Sequence, residues 1–140
     1  MINSKNFSNS YEREKRIIKK KDFSAILRLR PINKTSHFSL YIRSNQSRKN
    51  RFGIIVAKRF VPRSVTRSTI KRIARELFRH SFFFPYIDCV VRLYKPINIK
   101  SDPATTTMLK YLLRSELREL LKINDLINKI TLNFNYIIKN

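Results

Sequence analysis

Apolar and polar positions recur along this chain with two periods, and the switches between them mark its elements. Phe23, Ile26 and Leu27 stand at helical spacing. They predict a short helix over residues 23–29, capped by Asp22 and stopped by Pro31. Over residues 37–43 the period changes to two. Phe38, Leu40 and Ile42 share one face, and His37, Ser39, Tyr41 and Arg43 the other, the alternation of a half-buried strand with a polar side. A polar, basic loop at 44–50 leads to a second strand at 51–58, rich in Ile and Val, whose end carries Lys58 with Arg59 beside it. A fainter strand is expected at 32–35.

Residues 65–79 carry the clearest pattern. On a wheel of about 100° per residue, Ile70, Ile73, Ala74, Leu77 and Phe78 cover one arc, and Arg67, Lys71, Arg72, Arg75 and Arg79 another. The arcs hardly overlap, which predicts a helix that packs with one side and presents five cations on the other. Phe82, Phe83, Phe84 and Pro85 end it, and residues 86–94 then read as a buried strand with Ile87, Val90, Val91 and Leu93. Ser101 or Asp102 is placed to cap a last helix, with Pro103 in its first turn. Leu109, Leu112, Leu113, Leu117, Leu120 and Leu121 form its apolar stripe. Beyond Lys122 no period holds. The order α-β-β-(β)-α-β-α predicts a single-domain α+β protein, a two-layer sandwich of one sheet with helices packed on it. Residues 1–12 are expected to be a disordered basic N-terminus, 13–122 the folded domain, and 123–140 a C-terminal extension without an assigned structure.

Charge changes the picture from a fold to a class of partner. The chain has 140 residues, with 31 Lys and Arg against 9 Asp and Glu, a formal net charge of +22. Solubility alone needs a net charge of only about 2 to 8 in a small domain. A chain this basic repels itself when compact and attracts polyanions with strong salt dependence. Its hydrophobic share of 42% is enough for a core, so it is not merely a basic tail. The one cysteine, Cys89, sits in an apolar run and reads as a buried structural thiol in a reducing compartment. No run of about 18 apolar residues suggests a spanning helix, and the polar N-terminus lacks the apolar centre of a secretory signal, so the cytoplasm is the expected location.

Between Arg43 and Arg79 stand twelve cations and one acid, Glu76. A solvated helix face usually mixes signs at i,i+4. Here that spacing sets Arg67 near Lys71 and Lys71 near Arg75, an arrangement that only costs stability unless a polyanion binds. Arg forks match phosphate oxygens bidentately, and Lys adds point charges. Catalysis by the polypeptide has no positive support: His37 and His80 lie far apart, Asp88 and Asp102 are lone acids, no Cys/His cluster suggests a metal, and Gly53 is the only glycine.

The same region carries a resemblance. The stretch Arg51-Phe-Gly-Ile-Ile-Val-Ala-Lys-Arg59, then Arg63, then Arg67-Ser-Thr-Ile-Lys-Arg-Ile-Ala-Arg-Glu-Leu-Phe-Arg79 resembles the signature of the protein subunit of bacterial ribonuclease P. In that family a glycine-bearing strand ends in two cations, and the following helix reads Arg-Asn-Arg-x-Lys-Arg-x-x-Arg-Glu. Lys21-Asp22-Phe23, Phe38-Ser-Leu-Tyr41 and Asp88-Cys-Val-Val91 resemble its first helix and two of its strands. Three positions depart. Ser68 and Thr69 replace the family's Asn and second Arg, as hydrogen-bond donors without charge, and Leu27 stands where a second aromatic is common.

The resemblance implies a ribosomal protein S5 domain 2-like fold with a left-handed crossover around the basic helix. It implies that the chain is the protein component of a ribonucleoprotein endoribonuclease that removes the 5′ leader of precursor tRNA. The catalytic RNA would hold the active site and its Mg²⁺ ions, with no metal and no catalytic residue in the polypeptide. Lys58, Arg59, Arg63, Arg67, Ser68, Lys71, Arg72, Arg75 and Arg79 would bind that RNA. Lys20, Phe23, Leu27, Tyr41 and Lys58 would line a cleft for the single-stranded leader, where aromatic platforms beside cations suit an unpaired strand. A ribosomal or ribosome-assembly protein explains size and charge equally well but not the ordered landmarks. A DNA-reading helix is disfavoured by Ser68 and Thr69, which reach base edges poorly. A membrane-surface helix is disfavoured by flanking strands that would bury its apolar arc.

Overall fold

A computed structural model describes residues 19–45, 49–81, 87–97 and 106–122. The segments 1–12 and 123–140, Phe82 to Pro85, and the expected caps Ser101 and Asp102 lie outside the described residues. Three helices and four strands are seen among those described: α1 (Lys20–Leu27), β1 (Asn33–Lys34), β2 (Phe38–Ser44), β3 (Arg51–Ile55), α2 (Ser64–Ser81), β4 (Ile87–Leu93) and α3 (Thr107–Leu120). They build one α+β unit. The sheet runs β1-β2-β4-β3, antiparallel between β1 and β2 and between β2 and β4, and parallel between β3 and β4. The parallel pair needs a crossover, and α2 supplies it. None of the described helices is long and apolar enough to cross a membrane.

The main core lies between the sheet and α2 with α3. Phe38, Leu40, Phe52, Cys89, Val91 and Leu93 meet Ile70, Ile73, Ala74 and Phe78 from α2 and Leu113, Leu117 and Leu120 from α3. Phe52 and Phe78 stack with ring centroids 4.7 Å apart, a pair worth about 1 kcal/mol beyond its buried area. The predicted apolar face of β2 is therefore the core face. Its other face is not open, because α1 covers it: Ile26, Tyr41 and Val90 form a second buried cluster with Phe23, Leu27 and Ile55 against it.

Several local expectations shift, each for a visible reason. The faint strand is real but short, since Ile32 N–H and Thr35 N–H bond back to the carbonyls of Leu40 and Phe38 at 2.8 Å. The strand expected to reach Lys58 stops at Ile55, whose pairing with Arg92 is the last before the chain turns at 57–60. α1 begins earlier than expected, behind Lys19, which gives no side-chain cap. Asp22 sits inside its first turn, drawn toward Arg43 and Arg51. Thr106, not Ser101 or Asp102, caps α3, its hydroxyl accepting from Leu109 N–H at 3.0 Å. Leu112 leaves the predicted stripe and is exposed, because one residue of helix turns it about 100° from Leu113.

A polar clamp fixes α3 to the β1–β2 hairpin. Glu116 Oε1 accepts from Thr35 Oγ1 at 2.8 Å and His37 N–H at 2.7 Å, and His37 Nδ1 lies 2.9 Å from Oε2. Asn33 Nδ2 donates to the Leu120 carbonyl at 2.9 Å, and the Tyr94 hydroxyl donates to the Thr35 carbonyl.

Candidate nucleic-acid interface

The basic helix is set by its approach. In the turn 57–60, Phe60 N–H and Val61 N–H both donate to the Ala57 carbonyl at 3.1 Å. This leaves Lys58 and Arg59 exposed, with the Arg59 guanidinium 4.7 Å from the centre of the Phe60 ring. Arg63 is exposed just before α2. Arg67 then reaches back, its Nη1 donating to the carbonyls of Val61 at 2.9 Å and Pro62 at 2.8 Å. One edge of this guanidinium therefore braces the loop against the helix, a role that the sequence pattern did not reveal.

Along α2, Ser68, Arg72 and Arg79 are exposed and Lys71 and Arg75 half-buried, while Ile70, Ile73 and Ala74 face the core. Arg67, Lys71, Arg75 and Arg79 follow one another at i,i+4, a ladder whose like charges cost about 0.2–0.5 kcal/mol per pair in a bare helix. The one acid of the helix is turned toward α3, where Glu76 Oε1 lies 3.6 Å from Arg114 Nη1. Near the start of the helix, Ser64, Val65, Ser68, Thr69 and Arg72 line a depression of about 350 Å³.

Thr69 departs from expectation. It is buried, and its Oγ1 donates to the Val65 carbonyl at 2.9 Å. Its position on the wheel, next to Ile73 and Thr66, puts it on the core flank. Its hydroxyl is therefore not a donor offered to phosphate. Ser68, by contrast, stands among the cations and is exposed.

Four of the five residues predicted for the leader cleft, Lys20, Phe23, Leu27 and Tyr41, lie on the α1 side of the sheet, while Lys58 stands in the turn 57–60 after β3. Phe23 and Leu27 are half-buried over the pair Tyr41 and Val90, and Lys20 is exposed at the start of α1. Tyr41 is 7% exposed, so the open polar face expected around it is closed. The alternation correctly separated Tyr41 from Phe38 and Leu40 but could not show that α1 lies on top.

What holds α1 there is an ion-pair network that the sequence did not disclose. Arg43, Asp88 and Arg51 stand in one cross-strand row. Asp88 is wholly buried. It accepts from Arg51 Nε and Nη2, both at 2.8 Å, from Arg43 Nε at 3.0 Å and from Asn45 Nδ2 at 2.7 Å. The same two arginines reach Asp22 of α1, Arg43 Nη2 at 3.4 Å and Arg51 Nη1 at 3.8 Å. Burial alone would push the Asp88 carboxyl up, but the hydrogen bonds from Arg51, Asn45 and Arg43 outweigh it and hold the group below its ordinary range. The hydrogen bond to Asp88 raises the Arg51 pKa in turn. Arg43 and Arg51 are therefore engaged inside the fold. The adjacent Cys89 thiol is pushed well up, by burial first and by Asp88 second.

Among the described residues, no three His, Cys, Asp or Glu side chains gather as a metal site would require. The geometry is that of a binding surface: a basic helix over a braced loop, and a half-open apolar shelf beside Lys20.

Comparison with known proteins agrees with the landmarks. The family model described as Ribonuclease P matches residues 11–117. The ribonuclease P protein component of Ralstonia pickettii is 34% identical over 116 residues, covering 82% of each chain. That of Burkholderia mallei is 36% identical over 116 residues, covering 81% of this chain and 85% of its own. The structure of the Staphylococcus aureus RNase P protein superposes with a TM-score of 0.61 at 28% identity, over 79% of this chain and 94% of that one. The RNase P protein from Thermotoga maritima, at 24% identity and a TM-score of 0.55 over 76% and 94%, shares the fold. This chain belongs to the ribonuclease P protein family.

Proposed function

We propose that the chain is the protein subunit of a ribonuclease P, binding the catalytic RNA through α2 and its approach and the 5′ leader of precursor tRNA beside α1. The single observation that carries this reading is the ladder on α2: cations at i,i+4 on a helix whose one acid is turned away toward α3. Such a face is stable in partnership with a polyanion and strained without one. A ribonuclease P protein component works with an RNA subunit. Arg72 offers a planar fork to phosphate oxygens, Arg75 and Arg79 add positive charge, Lys71 a point charge, and Ser68 a neutral donor between them. Lys58, Arg59 and Arg63 extend the surface before the helix.

The leader shelf follows from what α1 leaves open. Phe23 and Leu27 present part of their surface, and Tyr41 backs them from below. The stacking surface offered to a base is thus that of Phe23, with Lys20 and Lys58 as cations for the backbone. The polypeptide positions RNA, and the cleavage chemistry with its Mg²⁺ ions belongs to the RNA subunit. Precursor-tRNA cleavage by a bacterial ribonuclease P RNA at low Mg²⁺, with and without this protein, tests the reading. Restored cleavage at the correct 5′ position is expected. An RNA subunit that neither binds the protein at moderate salt nor cleaves faster with it would overturn it in favour of a ribosomal role.

A further inference from the structure

The helix α3 repeats, on a smaller scale, the pattern that marks α2. Lys110, Arg114, Arg118 and Lys122 follow one another at i,i+4, so like charges again stand one turn apart at a cost to the bare helix. Three acids lie nearby, and none cancels the row. Glu76 meets Arg114 at 3.6 Å with the side chains 50% and 40% exposed, a pairing worth little in water. Glu116 is turned to the other side, held by Thr35 and His37. Among the described residues Glu119 meets only Lys122, at 3.7 Å and with both side chains at least 60% exposed, a pairing worth equally little.

Beside this row an aromatic ring stands in solvent. Tyr111 is 69% exposed, the most exposed of the large apolar or aromatic side chains in the described structure. Together with Arg114, Ser115, Arg118, Glu119 and Lys122 it lines an open depression of about 320 Å³. A flat ring set among cations over a shallow hollow is the combination that takes an unpaired nucleotide, the base stacking on the ring and the phosphates meeting the cations. The core does not require the ring to be there: Leu113, Leu117 and Leu120 on the opposite side of α3 do the packing.

The hollow also has one link to the helix already described, through Arg114, which lines it and lies 3.6 Å from Glu76 of α2. The Arg114–Glu76 bridge joins α3 to the edge of the basic arc of α2, so RNA lying along α2 passes next to Arg114. We propose that this face of α3 is a second RNA-contact surface, on which an unpaired nucleotide of the RNA subunit stacks against Tyr111 while Arg118 and Lys122 meet its backbone. The inference rests on the reading of α2 as the surface that docks the RNA subunit, and its occupant is that RNA rather than the leader.

The test is titration of the full-length protein with a bacterial ribonuclease P RNA across a salt series, comparing Tyr111→Leu, Tyr111→Phe, Arg118→Ala and Arg72→Ala with the unaltered chain. Tyr111→Leu should weaken binding by at least about fivefold, the low end for one stacked base, without changing the salt slope. Tyr111→Phe, which keeps the ring, should restore it. Arg118→Ala should flatten the slope by about 0.7 if it meets one phosphate of an unpaired strand. Matching thermal melts establish that the exposed substitutions leave the fold intact. If Arg72→Ala weakens binding and the α3 variants do not, the second surface is refuted and α2 stands. If none of the four weakens binding, the reading of α2 fails with it. If Tyr111→Leu affects only the affinity of the assembled complex for leader-bearing precursor, the assignment to the RNA subunit is wrong.

Discussion

Replacing Asp88 with Asn removes one charge from the centre of the network that joins α1 to three strands. The carboxylate is wholly buried and accepts four hydrogen bonds, three of them from arginines that are themselves only 28% and 23% exposed. An amide of the same shape keeps one acceptor oxygen and points an N–H₂ at donors. Removing one partner of a buried ion pair costs about 3–5 kcal/mol. Asp22 remains to hold part of the arginine charge, and the arginines retain some contact with water, so about 2–3 kcal/mol is expected. In urea, with a slope of about 1–3 kcal/mol per molar, the midpoint should fall by about 1 M at unchanged slope. The loss depends on pH with a definite sign. Because the folded carboxyl is held below its ordinary value, its stabilisation is complete above the ordinary carboxylate pKa of about 4 and is lost as pH falls through the lower folded value. The gap between the unaltered protein and Asp88→Asn should thus be constant from about pH 5 to pH 7 and narrow as pH falls below about 4. A variant within about 0.5 kcal/mol of the unaltered protein, the usual range for a surface substitution, would refute the reasoning, as would a gap that persists undiminished in acid.

Three further outcomes follow from the same geometry. Thr69→Val should leave affinity for the RNA subunit within about twofold, since the Thr69 hydroxyl is spent on its own helix; a larger loss would put that hydroxyl at the interface. Glu116→Gln should lower stability by about 1–2 kcal/mol, seen as an earlier thermal melt, because three contacts between α3 and the hairpin depend on the carboxylate. Cys89 should resist alkylation at pH 8 in the folded protein and react once it is unfolded, as burial removes access and keeps the thiol protonated; rapid labelling of the native chain would contradict its position.

The parts of this architecture that were legible in the sequence are those that local periodicity controls. The two arcs of α2 were readable because Ile70, Ile73 and Ala74 against Lys71, Arg72 and Arg75 is a pattern within one element. The faces of β2 were readable for the same reason, as was the faint strand before it. What stayed hidden depends on pairing between distant elements. Asp88 looked like a lone acid because its partners, at 43 and 51, become neighbours only through the register of three strands. Tyr41 looked accessible because its strand alternates, and only the docking of α1 encloses it. Thr69 looked like a surface donor because it follows Ser68, although its angle on the wheel places it beside Ile73. Helix starts were misplaced where the capping side chain had rivals: the Asp22 carboxylate is claimed by arginines, and Thr106 caps α3 within a run of threonines.

The central claim is that the basic arc of α2 lies against RNA. It is tested most directly by the salt dependence of binding to a bacterial ribonuclease P RNA for the unaltered protein and for Arg72→Ala. Arg72 is exposed, lines the hollow near the start of the helix, and contributes nothing to the core. Its loss should weaken binding and flatten the plot of log affinity against log salt by about one unit, as one phosphate contact disappears. Equal affinity and an unchanged slope would remove the arc of α2 from the interface.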